Sequence, residues 1–334
     1  MKLATPRSWY VRQQAPGAVT RLVLTPLSWI WAASTARRIA RAAPIDPGAS
    51  VISIGNLTVG GSGKTPLTRE VLRILREADV PAHGLSRGYG GRLAGPVRVD
   101  TKTHDAADVG DEPLMLAGDG PFWISRDRAA GARAAAAGGA QVIVLDDGHQ
   151  NPVLAKRLSL VVVDGETRDG EWPFGDGAVF PAGPMREPLQ AGLARADAVV
   201  VLLPLDQEDA SPELLRILEG RPILCARLEP VSPPPPGPQL GFAGVAKPWK
   251  VERTLKAAGC KLVDFAPFPD HATYRESDLK FLARRAEDEE AGLITTEKDW
   301  VRLPLAWRAR VHPWAVRARF LDEMQARNLL LSAV

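Results

Sequence analysis

Only two cysteines, Cys225 and Cys260, occur in 334 residues, and they form neither a disulfide framework nor a metal-binding spacing. They read as small core residues of a protein from a reducing compartment. The formal net charge is +3, and no stacked-aromatic motif accompanies it, so nucleic acid is not an expected partner. The N-terminal apolar stretch falls short of the about 20 residues that a membrane-spanning helix needs. No internal repeat of fixed period is present, which excludes a repeat architecture.

Hydrophobic residues make up 45% of the chain and charged residues 24%, the range of a globular protein long enough for two cores. The first forty-odd residues stand apart. Arg7, Arg12 and Arg21 precede an uncharged stretch from Leu22 to Ala36 that contains Pro26, Trp29 and Trp31; Arg37, Arg38 and Arg41 follow. Such a pattern suits a segment lying in the membrane interface, with tryptophans and leucines in lipid and arginines at anionic headgroups. A helix packed on the protein body and a cleaved signal peptide are the competing readings.

From Ser50 onward, strand-like and helix-like runs alternate. Val51–Ile54, His83–Ser86, Phe122–Ser125, Val142–Leu145 and Leu160–Val163 read as strands. Leu67, Val71, Leu72, Ile74 and Leu75 recur at helical spacing, and Arg126–Ala137 is an alanine-rich helix. This order implies a parallel sheet covered on both faces. Ala198–Leu203, Ile223–Leu228, Leu240–Val245 and Leu293–Thr296 continue the strand series, with helices at Glu213–Leu218 and Trp249–Ala258. The expected organisation is an N-terminal segment over 1–44, a first α/β/α domain over 45–180, and a second α/β/α domain with a C-terminal helix over 181–334. The boundary is placed in the Gly/Pro-rich stretch 175–188, ahead of the proline run 233–236.

Gly60-Gly61-Ser62-Gly63-Lys64-Thr65 lies between an apolar strand and an amphipathic helix, the setting of a phosphate-binding loop. Together with Thr58 and Val59, it is the predicted nucleotide cradle. Its backbone N–H groups and the helix N-terminus face phosphate oxygens, Lys64 reaches the β- and γ-phosphates, and Thr65 offers a hydroxyl to Mg²⁺. In the general GxxxxGK[ST] pattern the first glycine falls on Thr58, so Gly60 and Gly61 must supply that freedom. Two carboxylates, Asp146 and Asp147, end the strand-like run from Val142. Adjacent acids there repel unless a cation lies between them, which marks them as Mg²⁺ candidates. A guanine-reading Asn-Lys-x-Asp element is absent. Val59 also stands where membrane-associated partition ATPases carry a signature lysine.

At this point a resemblance appears. Gly55–Pro66, Ser86-Arg87-Gly88-Tyr89-Gly90, Gly110-Asp111-Glu112-Pro113, Asp146-Asp147-Gly148-His149-Gln150, Pro181–Glu187, Phe268-Pro269-Asp270-His271 and Thr295–Asp299 follow in the order seen in the tetraacyldisaccharide 4'-kinases of lipid A synthesis. His149 replaces a usual Phe, Met185 a Leu, and Asn151 and Ala272 stand where histidines are common. The resemblance implies a kinase that uses ATP and Mg²⁺ to phosphorylate the 4'-hydroxyl of tetraacyl disaccharide 1-phosphate. It would act as a monomer at the cytoplasmic face of the bacterial inner membrane. It implies Asp111 as the base and His271 as its partner. From the residues alone, Asp111 also reads as a helix cap and His271 as a surface histidine. Arg87, Arg128 and Arg186 are the candidate phosphate partners, and Asp270 a further substrate-side residue. The acceptor cleft is expected between the two domains. A membrane-associated P-loop ATPase and a kinase of another amphiphilic sugar are the alternatives.

Overall fold

The computed structural model describes residues 6–11, 18–168 and 170–334; Arg12 of the N-terminal reading lies outside them. Two sheets organise the chain. The larger has nine strands: β1 (Ser50–Asn56), β2 (Ala82–Ser86), β3 (Val97–Arg98), β4 (Phe122–Ile124), β5 (Val142–Asp146), β6 (Leu158–Asp164), β7 (Ala198–Leu203), β8 (Ile223–Pro230) and, from near the C-terminus, β13 (Val316–Phe320). Their order is β13-β8-β7-β6-β1-β5-β2-β4-β3. All internal pairings are parallel, and the edge strands β3 and β13 are antiparallel to their neighbours. The smaller sheet is parallel throughout, in the order β10 (Lys261–Pro267), β9 (Pro238–Ala243), β11 (Gly292–Thr296), β12 (Val311–Trp314).

Strands β2, β5, β6 and β7 are buried along their whole length. That is why β5, β6 and β7 read in sequence as near-continuous apolar runs and not as alternating ones. Successive residues of β1 feed opposite layers. Ile52 and Ile54 pack with Leu67, Val71, Ile74 and Leu75 of the helix Lys64–Glu77, whereas Val51 packs with Ala132 and Ala135 of the helix Arg128–Ala137. Leu240, Phe242 and Leu293 of the smaller sheet pack against Leu279 and Leu282 of the helix Glu276–Asp288.

The expected boundary at 180/181 does not separate the sheets. Strands β7 and β8 extend the first sheet beyond β6, and β13 returns to pair with β8. The second sheet begins only after the proline run 233–236. The stretch 175–188, taken from sequence as the break, is folded against the phosphate-binding loop. Val59 N–H donates to Pro184 O at 2.8 Å, and Arg186 N–H donates to Leu57 O at 2.8 Å. Its glycines and prolines serve a turn-rich loop that lines a site. Strands β10 and β12 escaped the sequence reading for local reasons. β10 is half-buried and ends at Pro267, and β12 is an edge strand containing Pro313.

Leu22–Ala36 lies within one helix, Ala18–Ala40, with Pro26 inside it. Among the described residues no helix is long and apolar enough to cross a membrane.

Phe122 of β4 is fully buried and fills the space left by Gly84 of β2, where a Cβ would come within 2.2 Å of the ring. Phe122→Ala is expected to destabilise the fold by about 3–5 kcal/mol, read from urea unfolding followed by tryptophan fluorescence. A loss below about 1 kcal/mol would show that β4 is not an integral part of this core.

Candidate functional site

The carboxyl ends of parallel strands from both sheets face one another across a cleft of about 1320 Å³. Loops that follow such strand ends are where α/β folds place ligands. β1 leads into the glycine-rich loop, β5 into Asp146–Asp147, β9 into Val245–Lys247 and β11 into Thr296–Lys298, and all of these line the cleft.

The loop is shaped by its glycines. Gly63 precedes the helix Lys64–Glu77 at φ +79, and a Cβ on it would meet Leu202 Cδ1 at 2.1 Å. Ser62 Oγ is buried without a hydrogen-bond partner among the described residues, as suits a hydroxyl directed at a phosphate-sized ligand. Lys64 Nζ donates to Asn56 Oδ1 at 3.2 Å and lies 3.6 Å from Asp147 Oδ1. Val59 through Thr65 line the cleft, while Thr58 lies behind it, its carbonyl receiving Arg186 Nε–H at 3.0 Å.

Asp146 is buried and accepts Thr68 Oγ1–H at 3.0 Å. Burial, Glu112 and Asp147 together push its carboxyl well above the ordinary range, against the pull of Lys64. Asp147 is the more exposed of the pair. Burial raises it, but Lys64 and Arg186 prevail and bring it down to about 2; Arg186 Nη1 is 2.8 Å from its Oδ1. This corner thus pairs a buried carboxyl whose charge is opposed by burial with one held ionised, and its donors are hard oxygens. Among the described residues no group of three or more His, Cys, Asp or Glu forms a metal cage. The set fits a Mg²⁺ that takes one or two carboxylates from protein and its other ligands from phosphate and water.

Across the cleft, Asp111 and His271 meet: Nδ1 lies 2.9 Å from Oδ2. Asp111 is the first residue of the helix Asp111–Ala117, whose cap is Gly110, so the expectation that Asp111 caps the helix is corrected. Its Oδ1 accepts Glu112 N–H at 2.9 Å. Gly110 is required there, since at φ +94 a Cβ would meet Tyr89 O at 2.5 Å. Burial acts to raise the Asp111 carboxyl. The His271 hydrogen bond, with Lys298 and Arg302, reverses this and holds it well below the usual carboxylate range. His271 is half-buried and packs edge-on to the Tyr89 ring at 5.5 Å, so it is not a free surface histidine. His271 and Asp147 both sit at φ +55, a conformation uncommon outside glycine and enriched at functional sites. Asp111 does not itself line the cleft; His271, Glu112 and Asp270 do.

Arg87, Arg128 and Arg186 line the same wall. Arg128 is buried; it donates from Nη1 to Ser125 O at 2.5 Å, while its Nε has no hydrogen-bond partner among the described residues. Burial, and then repulsion from Arg87, lower it to about 10. Asp270 Oδ1 stands 3.6 Å from Lys298 Nζ.

Three charged side chains at this centre were not singled out from sequence as site residues. Lys298 Nζ donates to Glu112 Oε1 at 2.9 Å and lies 3.4 Å from His271 Nε2. Burial opposes its charge, but Glu112, Asp111 and Asp270 push it up to about 12. Arg302 Nε lies 2.8 Å from Asp111 Oδ2. Glu112 and Lys298 fell inside quoted motifs, which was the available signal; Arg302 carried none. Asp299, by contrast, is fully buried and accepts from Tyr274 Oη and Gly244 N, so it ties β9 to β11 and does not face the cleft. His149 is likewise a core residue, its ring nitrogens 3.1 Å from Ser159 Oγ and 2.9 Å from Gly192 O.

Comparison with known proteins bears on the family and the fold. Residues 20–334 match the family model described as tetraacyldisaccharide-1-P 4'-kinase. The tetraacyldisaccharide 4'-kinase of Caulobacter vibrioides (strain NA1000 / CB15N) is 68% identical over 330 residues, covering 99% of this chain and 98% of that one. That of Maricaulis maris is 51% identical over 316 residues, covering 94% and 91%. In fold, the chain is similar to the crystal structure of the "apo" form of LpxK from Aquifex aeolicus in complex with ATP. The TM-score is 0.70 at 24% identity, covering 94% of this chain and 99% of that chain. The chain belongs to the tetraacyldisaccharide-1-P 4'-kinase family.

Proposed function

We propose that this protein transfers the γ-phosphate of ATP to the 4'-hydroxyl of tetraacyl disaccharide 1-phosphate in lipid A biosynthesis. The observation that carries the reading is that His271, which shares one cleft with a Gly-Lys-Thr phosphate loop, is paired with the Asp111 carboxylate just off the cleft wall. Phosphoryl transfer demands mainly positioning and charge neutralisation. Residues 59–65 cradle the triphosphate, with Lys64 at its β- and γ-oxygens, and Thr58 supports them from behind through Arg186. Thr65, Asp146 and Asp147 would hold Mg²⁺, which when bound neutralises charge on those oxygens. Arg87, Arg128 and Arg186 receive the anionic groups of donor and acceptor, and Asp270 lies on the acceptor side.

Asp111 takes the proton of the attacking hydroxyl, and His271 orients it. Its carboxyl is held ionised, which a base requires. It is covered by Arg302 and lies off the cleft wall, so the reading includes a movement of the smaller sheet relative to the larger that exposes Asp111 to the acceptor. The two sheets then act as two domains.

An acyl-chained acceptor stays in the bilayer, and the helix Ala18–Ala40 supports docking there. Its polar side faces the protein: Ser28 Oγ–H donates to Val179 O at 2.7 Å, and Trp31 Nε1–H donates to Arg186 O at 3.0 Å. Leu22, Trp29 and Ile30 turn outward, with 77%, 70% and 66% of their surface exposed. Tryptophan, apolar side chains and flanking arginines are the composition of an interfacial helix. Arg38, near its end, lines the cleft. The protein works as a peripheral monomer on the cytoplasmic face of the inner membrane, where ATP is available, and nucleic acid has no part in it.

Purified protein with labelled ATP, Mg²⁺ and tetraacyl disaccharide 1-phosphate in detergent micelles should yield labelled lipid. Lys64→Ala should abolish the product, and Asp111→Ala should slow its formation by about 10²–10⁴-fold. Free phosphate without labelled lipid would point to an ATPase instead. Trp29→Asp with Ile30→Asp should move the protein from the membrane pellet to the soluble fraction while micellar activity is retained. Undiminished pelleting of that variant would refute the docking role of the helix.

A further inference from the structure

We infer that Lys298 is a positioning residue for the Asp111–His271 pair: its ammonium, 3.4 Å from His271 Nε2, reserves that nitrogen as an unprotonated acceptor and leaves the ring's single proton on Nδ1, aimed at Asp111 Oδ2. An ammonium only donates. A proton on Nε2 would therefore face a donor at contact distance, and a doubly protonated ring would set two positive charges 3.4 Å apart.

The other groups around the ring do not reverse this. Asp270 Oδ1, the competing acceptor, is 3.8 Å from Nε2, beyond hydrogen-bond reach, and is nearer to Lys298 at 3.6 Å. Glu112 anchors Lys298 at 2.9 Å from the first sheet's side. Tyr89 presents its ring to the imidazole, and Arg302 lies beyond, on Asp111. The backbone also holds the imidazole in place, since His271 N–H donates to Gly244 O at 3.1 Å.

A consequence follows for the role of His271. With Nε2 occupied by an ammonium, the imidazole has no open route to pass a proton from Asp111 onward through Nε2. It acts as a fixed donor that orients the carboxylate, and the proton taken from the hydroxyl stays on Asp111 until the product leaves. The effect on turnover rests on the kinase reading above; the protonation pattern does not.

The test is nitrogen NMR of histidine-labelled full-length protein, with the His271 signals assigned by their loss in His271→Asn. The wild type should show Nδ1 protonated and Nε2 unprotonated at about pH 8. In Lys298→Met the Nε2 signal should move toward that of a protonated nitrogen, and Lys298→Arg should keep the wild-type pattern. In the lipid-phosphorylation assay, Lys298→Met should lower kcat about tenfold, leave the KM for ATP unchanged, and be rescued in Lys298→Arg. A protonated Nε2 in the wild type near neutral pH would overturn the inference whether or not any variant folds. So would a Lys298→Met spectrum identical to the wild type. The predicted pattern in a wild-type protein that labels no lipid would leave the positioning role standing and remove the kinase reading.

Discussion

One carboxylate, Asp111, joins the two halves of the cleft. It lies at the start of a helix that follows β3 of the larger sheet, and its Oδ2 meets His271 and Arg302, both from the chain of the smaller sheet. A buried carboxylate with no partners would be costly enough to be protonated. Here, the hydrogen bond from His271 and the charges of Lys298 and Arg302, all from the opposite side, keep it charged. Charge on Asp111 and closeness of the two sheets are therefore linked: each exists because of the other. The same logic recurs along the cleft. Glu297 of the smaller unit meets Arg69 at 2.8 Å, and Asp164 at the end of β6 meets Lys247 at 2.6 Å. The units are joined at their active faces by ion pairs. Such contacts can be exchanged for substrate phosphates and hydroxyls in a way that an apolar seam cannot.

This arrangement explains why a single parallel sheet would not suffice. The glycine-rich loop after β1 and the acids after β5 lie on the larger sheet's side of the cleft. From the smaller sheet's side come the imidazole of His271, after β10, and Lys298, after β11. The stretch 175–188 closes the third side by hydrogen-bonding to the loop, and Arg186 from it reaches Asp147. The outward-facing apolar helix Ala18–Ala40 is fastened to the same stretch through Ser28 and Trp31. The outward-facing apolar helix and the glycine-rich loop thus share one structural support.

Much of this was legible in the residues. The buried strands β5, β6 and β7 announce themselves because a strand covered on both faces is apolar along nearly all its length. The loop 60–65 announces itself because only glycine-rich backbone can turn its amides to phosphate. Asp111 and His271, 160 residues apart in sequence, were paired through family resemblance; no local pattern joins them, and only the folded chain brings them to 2.9 Å. The boundary between the sheets was misplaced for a physical reason. Glycine and proline mark a turn-rich loop as readily as a linker, and nothing in 175–188 says which. The edge strand β13, Val316-Arg317-Ala318-Arg319-Phe320, does alternate, but its partner β8 lies far back in the chain. Arg302 was invisible as a site residue because a lone cation has a solvated face as its ordinary fate, and Lys298 carried only its place in the Thr295–Asp299 motif.

The central claim is that Asp111 and His271 act as one unit across the cleft. A double-mutant cycle on kcat for lipid phosphorylation, with Asp111→Asn, His271→Asn and the double variant, tests it most directly. If the pair works as a unit, the double variant will be about as slow as Asp111→Asn alone, since an imidazole with no carboxylate to orient has nothing left to contribute. If the two losses multiply, the residues act independently, and the carboxylate–imidazole contact is a feature of packing that the reaction does not use.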